Sequence, residues 1–114
     1  TPADGYYAVN AIKSTGGGSE DATDEEIIDA IKLLAETEGV FAETAGGVTL
    51  ACAKKLIESG KIPRNESIVI CITGHVLKTA EAVAPHLPQP RLINPGLREF
   101  DALVANDTAV HAAA

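Results

Sequence analysis

No stretch of this sequence is basic. Its 9 Lys and Arg residues against 16 Asp and Glu leave a formal net charge of -7. The cations stand singly or in one adjacent pair, Lys54-Lys55, so no stripe is available to neutralise a phosphate backbone, and nucleic-acid binding is excluded as a reading. Long apolar runs are equally missing. The longest, Ile68-Val69-Ile70-Cys71-Ile72, falls far short of the roughly 18 residues a membrane helix needs, and no charged segment followed by an apolar one opens the chain. A soluble, cytoplasmic protein with no membrane partner is expected. Cysteine is scarce: Cys52 and Cys71 sit inside apolar helix and strand patterns, outside any C-x-x-C motif, and read as reduced core residues rather than a disulfide or zinc framework. His75, His86 and His111 are too dispersed for metal-ligand spacing, and no internal repeat is present.

With 114 residues and 46% hydrophobic content, the chain can build one modest core. It opens on Thr1-Pro2-Ala3-Asp4-Gly5 instead of methionine, which suggests processing or a fragment of something longer. Tyr7, Ala8, Ala11 and Ile12 stand at helical spacing and predict a helix from Gly5 to Ser14, stopped by Gly16-Gly17-Gly18. That glycine run lacks the strand before it and the Gly-Lys-Ser/Thr after it that a phosphate loop needs. Thr23-Asp24-Glu25-Glu26 has the form of a capping box, and the acidic run around it is read as a helix start favoured by the dipole, not as a metal site. Ile27, Ala30, Ile31 and Leu34 follow on one stripe to a stop at Gly39, predicting a helix from about Asp24 to Glu38.

Val40-Phe41-Ala42 then reads as a strand, Glu43-Thr44-Ala45-Gly46-Gly47 as a tight polar turn, and Val48 to Ser59 as a helix ended by Gly60. The unalternating Ile68–Ile72 run suits a central parallel strand covered on both faces. With an edge strand between the first two helices, these elements predict an α/β fold with a partial parallel sheet and flanking helices. Residues 1–84 form that unit. Residues 85–114, broken by Pro85, Pro88 and Pro90, read as an irregular tail in which Leu97, Phe100 and Val104 hint at one short amphipathic turn.

Ligands of open parallel sheets gather beyond the carboxyl ends of the strands, so the turns at residues 43–47 and 73–75 are expected on one sheet edge. The first offers a carboxylate, a hydroxyl and two glycines at a helix N-terminus. That arrangement suits anion binding and also suits tight strand-to-helix packing, and both readings stand at this point. The second offers the Thr73 hydroxyl at the end of an apolar run, with Gly74 free to turn and His75 beside it.

These same residues carry a resemblance. Phe41-Ala42-Glu43-Thr44-Ala45-Gly46-Gly47-Val48-Thr49, then Ile72-Thr73-Gly74-His75 with Leu77-Lys78-Thr79 close behind, resemble the C-terminal signature of threonine synthases. Pro2-Ala3-Asp4-Gly5 is similar to the end of that family's Gly-Asn-Pro-Ala loop, so the likeness covers about residues 2–84. It implies part of a tryptophan-synthase-β-like fold in which pyridoxal phosphate lies between two α/β domains. The reaction implied is conversion of O-phosphohomoserine and water to threonine and phosphate, with water entering at the β carbon. By resemblance, Thr73 meets the cofactor's pyridine nitrogen. Glu43, Thr44, Ala45, Gly46 and Gly74 line the cofactor pocket, and Ala45 to Gly47 let the backbone approach the ring.

The sequence departs from the family at Val76, where relatives commonly carry glycine, and at Thr44, where many carry proline. The family's cofactor-holding lysine, in a Ser-Phe-Lys-Asp-like segment, and its glycine-rich phosphate cradle belong to a part preceding Thr1. None of Lys13, Lys32, Lys54, Lys55, Lys61 or Lys78 has that context, so no catalytic residue is assigned within this chain and the chain alone is expected to be inactive. The expected partners are the missing N-terminal part and a second copy, since a partial sheet exposes strand edges. A dehydratase of threonine or serine using the same cofactor is the alternative enzyme, and a non-catalytic binding or regulatory module derived from such an enzyme is the alternative outside catalysis.

Overall fold

The structure, a computed structural model, describes residues 3–111, with side chains through residue 105. Helix α1 spans Gly5–Thr15, α2 Asp24–Glu38 and α3 Thr44–Glu58. A 3₁₀ turn at Val76–Lys78 leads into the one-turn helix α4, Ala80–Val83, a second 3₁₀ turn at Ala84–His86, and finally α5, Leu97–His111. Among the described residues no helix is long and apolar enough to cross a membrane.

Helix α2 starts where its sequence says it should. The Thr23 hydroxyl accepts from the Glu26 N–H at 3.3 Å while the Glu26 carboxylate accepts from the Thr23 N–H at 2.8 Å, so two free donors are satisfied reciprocally. Gly39 closes the helix in the left-handed conformation at φ 68°. The face between these ends buries Ile28, Ala30, Ile31 and Leu34. Its main partner is α3. Gly47 brings the two helices together, because a Cβ there would lie 2.8 Å from the Ile27 carbonyl oxygen and 2.8 Å from Ile31 Cγ1. Val76 and Val83 complete a small core with Ile28 and Ile31, and Ile27, Phe41 and Leu87 pack against it.

The loop before α2 and the first turn of α2 are fastened by charge to α3 and the segment that follows it. Lys55 reaches Glu26 at 2.7 Å and the Asp21 carbonyl at 3.0 Å, and Lys61 pairs with Glu20 at 3.1 Å. The hydrogen bond from Lys55, then that from the Thr23 backbone, holds the Glu26 carboxyl below the ordinary carboxylate range. Glu20 is lowered in the same direction, first by its hydrogen bond to Lys61. Lys55 is raised in turn, chiefly by Glu26.

The strand assignments and the start of α3 are corrected. The partial parallel sheet is not formed: the described residues contain no strand, and their isolated β pairing is an antiparallel bridge between Ala42 and His75. The Ile68–Ile72 run is therefore not a covered central strand. Ile68, Ile70 and Ile72 line a groove with Leu33, Val40 and Leu50, whereas Val69 stands 89% exposed. A strand is buried on both faces only when neighbouring strands and a second helical layer are present, and the described residues supply neither. Helix α3 begins at Thr44, not Val48, so the supposed turn is its first turn. Residues 18–22 form no edge strand.

The cysteines are not core residues: Cys71 is exposed and Cys52 half-buried. In the C-terminal tail, α5 runs over 15 residues where a short turn was expected. Its start is held by Asn94, whose backbone N–H and side-chain amide both donate to Glu99, at 2.9 and 3.0 Å. Pro85 sits inside a 3₁₀ turn, which needs no donor from it. Helix α1 ends at Thr15 but buries none of its residues. The radius of gyration is 19.5 Å, well above the about 13 Å of a compact domain of 100 residues.

Candidate cofactor site

The two turns singled out in the sequence meet. The Glu43 N–H donates to the Gly74 carbonyl at 3.3 Å and the Val76 N–H to the Phe41 carbonyl at 3.0 Å, which together frame the Ala42–His75 bridge. The N-terminus of α3 thus lies against the end of the 68–72 run, with Thr73 exposed at the junction. Gly74 adopts φ 71°, a left-handed conformation, and a Cβ on it would overlap the Glu43 carboxylate. Val76 avoids the strain expected of a β-branched residue in a glycine position. Among the described residues no non-glycine residue has positive φ, and Val76 is buried in the core.

Glu43 occupies the N-cap position of α3, yet its side chain makes no capping hydrogen bond. The carboxylate, 9% exposed, is instead paired with Lys78 at 2.7 Å. The Thr44 N–H, one of the free donors of the helix start, is taken by the Thr79 hydroxyl at 3.1 Å. His75 turns inward on its own segment, its Nδ1 accepting from the Leu77 N–H at 3.3 Å and capping the 3₁₀ turn. Lys78 and Thr79 lie within the signature but carried no assigned role, because a contact made across 35 residues leaves no mark in local spacing.

The remaining site residues divide. Gly46 and Gly47 are buried, with the space beside Gly46 taken by Ala42 and by Ile72 Cγ2, at 2.7 and 3.2 Å from where a Cβ would be. Tight packing, one of the two readings left open for this pair, accounts for both glycines. Thr44 and Ala45 face a groove shared with Asp24, Ile28, Val48 and His86, where α2 and α3 both begin. Thr73 and Gly74 lie outside that lining. The junction therefore offers an exposed hydroxyl at Thr73, the start of α3, and a carboxylate whose charge Lys78 already balances. This donor set suits a heteroaromatic ring nitrogen, which needs one hydrogen-bonding partner. It does not suit a phosphate group, since the cation at the junction is committed to Glu43.

Comparison with known proteins shows the family. The PALP family model, described as pyridoxal-phosphate dependent enzyme, matches residues 1–74. The match takes in α1, α2, α3, Thr73 and Gly74 and stops short of α4 and α5. The threonine synthase of Methanocaldococcus jannaschii is 46% identical over 89 residues, 78% of this chain and 22% of that protein. The threonine synthase of Methanosarcina acetivorans is 38% identical over 93 residues, 82% of this chain and 23% of that protein. That of Bacillus sp. (strain ULM1) is 47% identical over 77 residues, 68% of this chain and 22% of that protein. The chain thus spans between a fifth and a quarter of the length of these relatives.

Proposed function

This chain belongs to the family of pyridoxal-phosphate dependent enzymes, whose fold is tryptophan-synthase-β-like, and from that premise we propose that it forms the pyridine side of the cofactor site in a threonine synthase. The reaction proposed is conversion of O-phosphohomoserine and water to threonine and phosphate. Bound pyridoxal phosphate supplies the electron sink for chemistry at the substrate's carbon atoms.

The chain's own contribution is binding and orientation. Thr73 presents its hydroxyl to the ring nitrogen. A neutral hydroxyl, unlike a carboxylate, does not hold that nitrogen protonated, and so moderates how strongly the ring withdraws electrons. Glu43 and Gly74 border Thr73 at the junction, with the Glu43 charge balanced by Lys78 so that no unpaired carboxylate faces the ring, while Thr44 and Ala45 line the adjoining groove and the buried Gly46 supports the junction from beneath. The lysine that holds the cofactor and the groups that bind its phosphate come from the remainder of the enzyme, which is this chain's partner.

The meeting of the α3 N-terminus with the exposed Thr73 turn carries this reading. The test is product analysis on the complete enzyme bearing this chain, supplied with O-phosphohomoserine. Equimolar phosphate and threonine are expected. Formation of a keto acid from threonine or serine, without phosphate release from O-phosphohomoserine, would assign the dehydratase reaction instead.

A further inference from the structure

Lys78, the last residue of the 3₁₀ turn, and Thr79 directly after it grip two consecutive residues at the start of α3. Lys78 takes the Glu43 carboxylate at 2.7 Å, and Thr79 takes the Thr44 N–H at 3.1 Å. The turn that delivers them is itself fixed, because the Lys78 N–H donates to the His75 carbonyl at 3.0 Å and the Thr79 N–H to the Val76 carbonyl at 2.9 Å. Glu43 is buried while the Lys78 side chain is 66% exposed, so the lysine reaches in from solvent to a carboxylate lodged beneath Gly74. Without these two links, the backbone hydrogen bonds of Glu43 and Val76 and the packing of Gly46 against Ile72 still hold the junction.

We propose that Lys78 and Thr79 are positioning residues: by gripping Glu43 and Thr44 they fix the register of the 73–75 turn on α3, and with it the place from which Thr73 presents its hydroxyl to the cofactor. The inference rests on the reading that pyridoxal phosphate occupies this edge. It explains why a carboxylate at the N-cap forgoes the capping hydrogen bond open to it. The pairing also balances the Glu43 charge.

The test uses Lys78→Met and Thr79→Val, with Lys78→Arg and Thr79→Ser as rescues. In the 114-residue chain, amide hydrogen exchange is followed at Glu43, Thr44 and Val76, with the Thr23-capped Glu26 amide as an internal reference. Exchange at the three junction amides is expected to accelerate in the first two variants and to return in the rescues, with Glu26 unchanged. In the complete enzyme, the same variants are expected to retain one cofactor per chain, to shift the visible band of the bound cofactor, and to lose kcat about ten- to a hundred-fold at unchanged KM, the scale of a small misplacement of a reacting group. Unaltered junction exchange would refute the grip. Accelerated exchange with an unshifted band and unchanged kcat would reduce the pair to fold stabilisers and overturn the positioning role. Because the band shift and the exchange do not depend on which product forms, a complete enzyme that yields keto acid would defeat the threonine synthase reading while leaving this one standing.

Discussion

Replacing Gly47 with alanine tests the packing on which the site is mounted. The new Cβ would meet the Ile27 carbonyl oxygen at 2.8 Å, Ile31 Cγ1 at 2.8 Å and Ile27 Cγ2 at 2.9 Å. The two methyl-bearing groups can rotate or shift, but the carbonyl is α2 backbone and moves only with its helix. Overpacking of this kind costs typically about 1–3 kcal/mol. Against it stands the preference of a helix for alanine over glycine, at most about 1 kcal/mol and less in a first turn. The overlap wins, and Gly47→Ala is expected to destabilise by about 1–2 kcal/mol. On the scale of about 4–8 °C per kcal/mol for a small domain, the midpoint should fall by roughly 5–15 °C. Thermal unfolding followed by far-ultraviolet circular dichroism measures this, with Gly18→Ala as the control, since a Cβ there would have Leu56 Cδ2 as its nearest neighbour, at 3.9 Å. A Gly47→Ala midpoint equal to or above that of the parent would refute the close approach of α2 and α3.

Three further outcomes are expected. Gly74→Ala requires a left-handed alanine, about 1–2 kcal/mol, and also drives the Glu43 carboxylate from its place; denaturant titration should show a loss larger than the backbone term alone, and a smaller loss would separate Glu43 from this turn. Glu20 and Glu26 have folded-state pKa values below the ordinary one, so their contribution to stability is full above about pH 5 and is lost as pH falls through the lowered values. Midpoints recorded between about pH 6 and 3 should therefore decline on acidification, and Lys55→Met should flatten that decline. Burial pushes the Cys52 thiol up while Cys71 is exposed, so iodoacetamide at neutral pH should modify Cys71 first, and mass spectrometry of the singly labelled chain reads the order.

What the sequence disclosed depended on how local each interaction is. Helix α2 was legible from end to end because its start, stripe and stop lie within one short segment: Thr23 and Glu26 close a box of four residues, and Gly39 ends it. Helix α3 was read four residues short. Its glycine pair looks like a turn, whereas Gly46 and Gly47 are glycines because Ala42, Ile72, Ile27 and Ile31 leave no room for a Cβ. The length of α5 was missed because its start is held by Asn94 and Glu99, a pairing outside the Ser/Thr-x-x-Glu form. The Ile68–Ile72 run declares a buried environment, yet a strand's ladder is a property of its neighbours. Burial of Val69 requires elements other than those described. The two turns were expected to share an edge of a parallel sheet; they meet without one, through the antiparallel Ala42–His75 bridge. The link from Lys78 and Thr79 to Glu43 and Thr44 was invisible, since it joins segments far apart in the chain.

The proposed function puts the Thr73 hydroxyl at the ring nitrogen of pyridoxal phosphate. Its most direct measurement is the ¹⁵N resonance of ring-labelled cofactor in the complete enzyme, compared between the parent, Thr73→Ser and Thr73→Val. The account predicts that serine keeps the parent resonance and valine shifts it, because only valine removes the hydroxyl. An identical resonance in all three would place the ring nitrogen away from this turn.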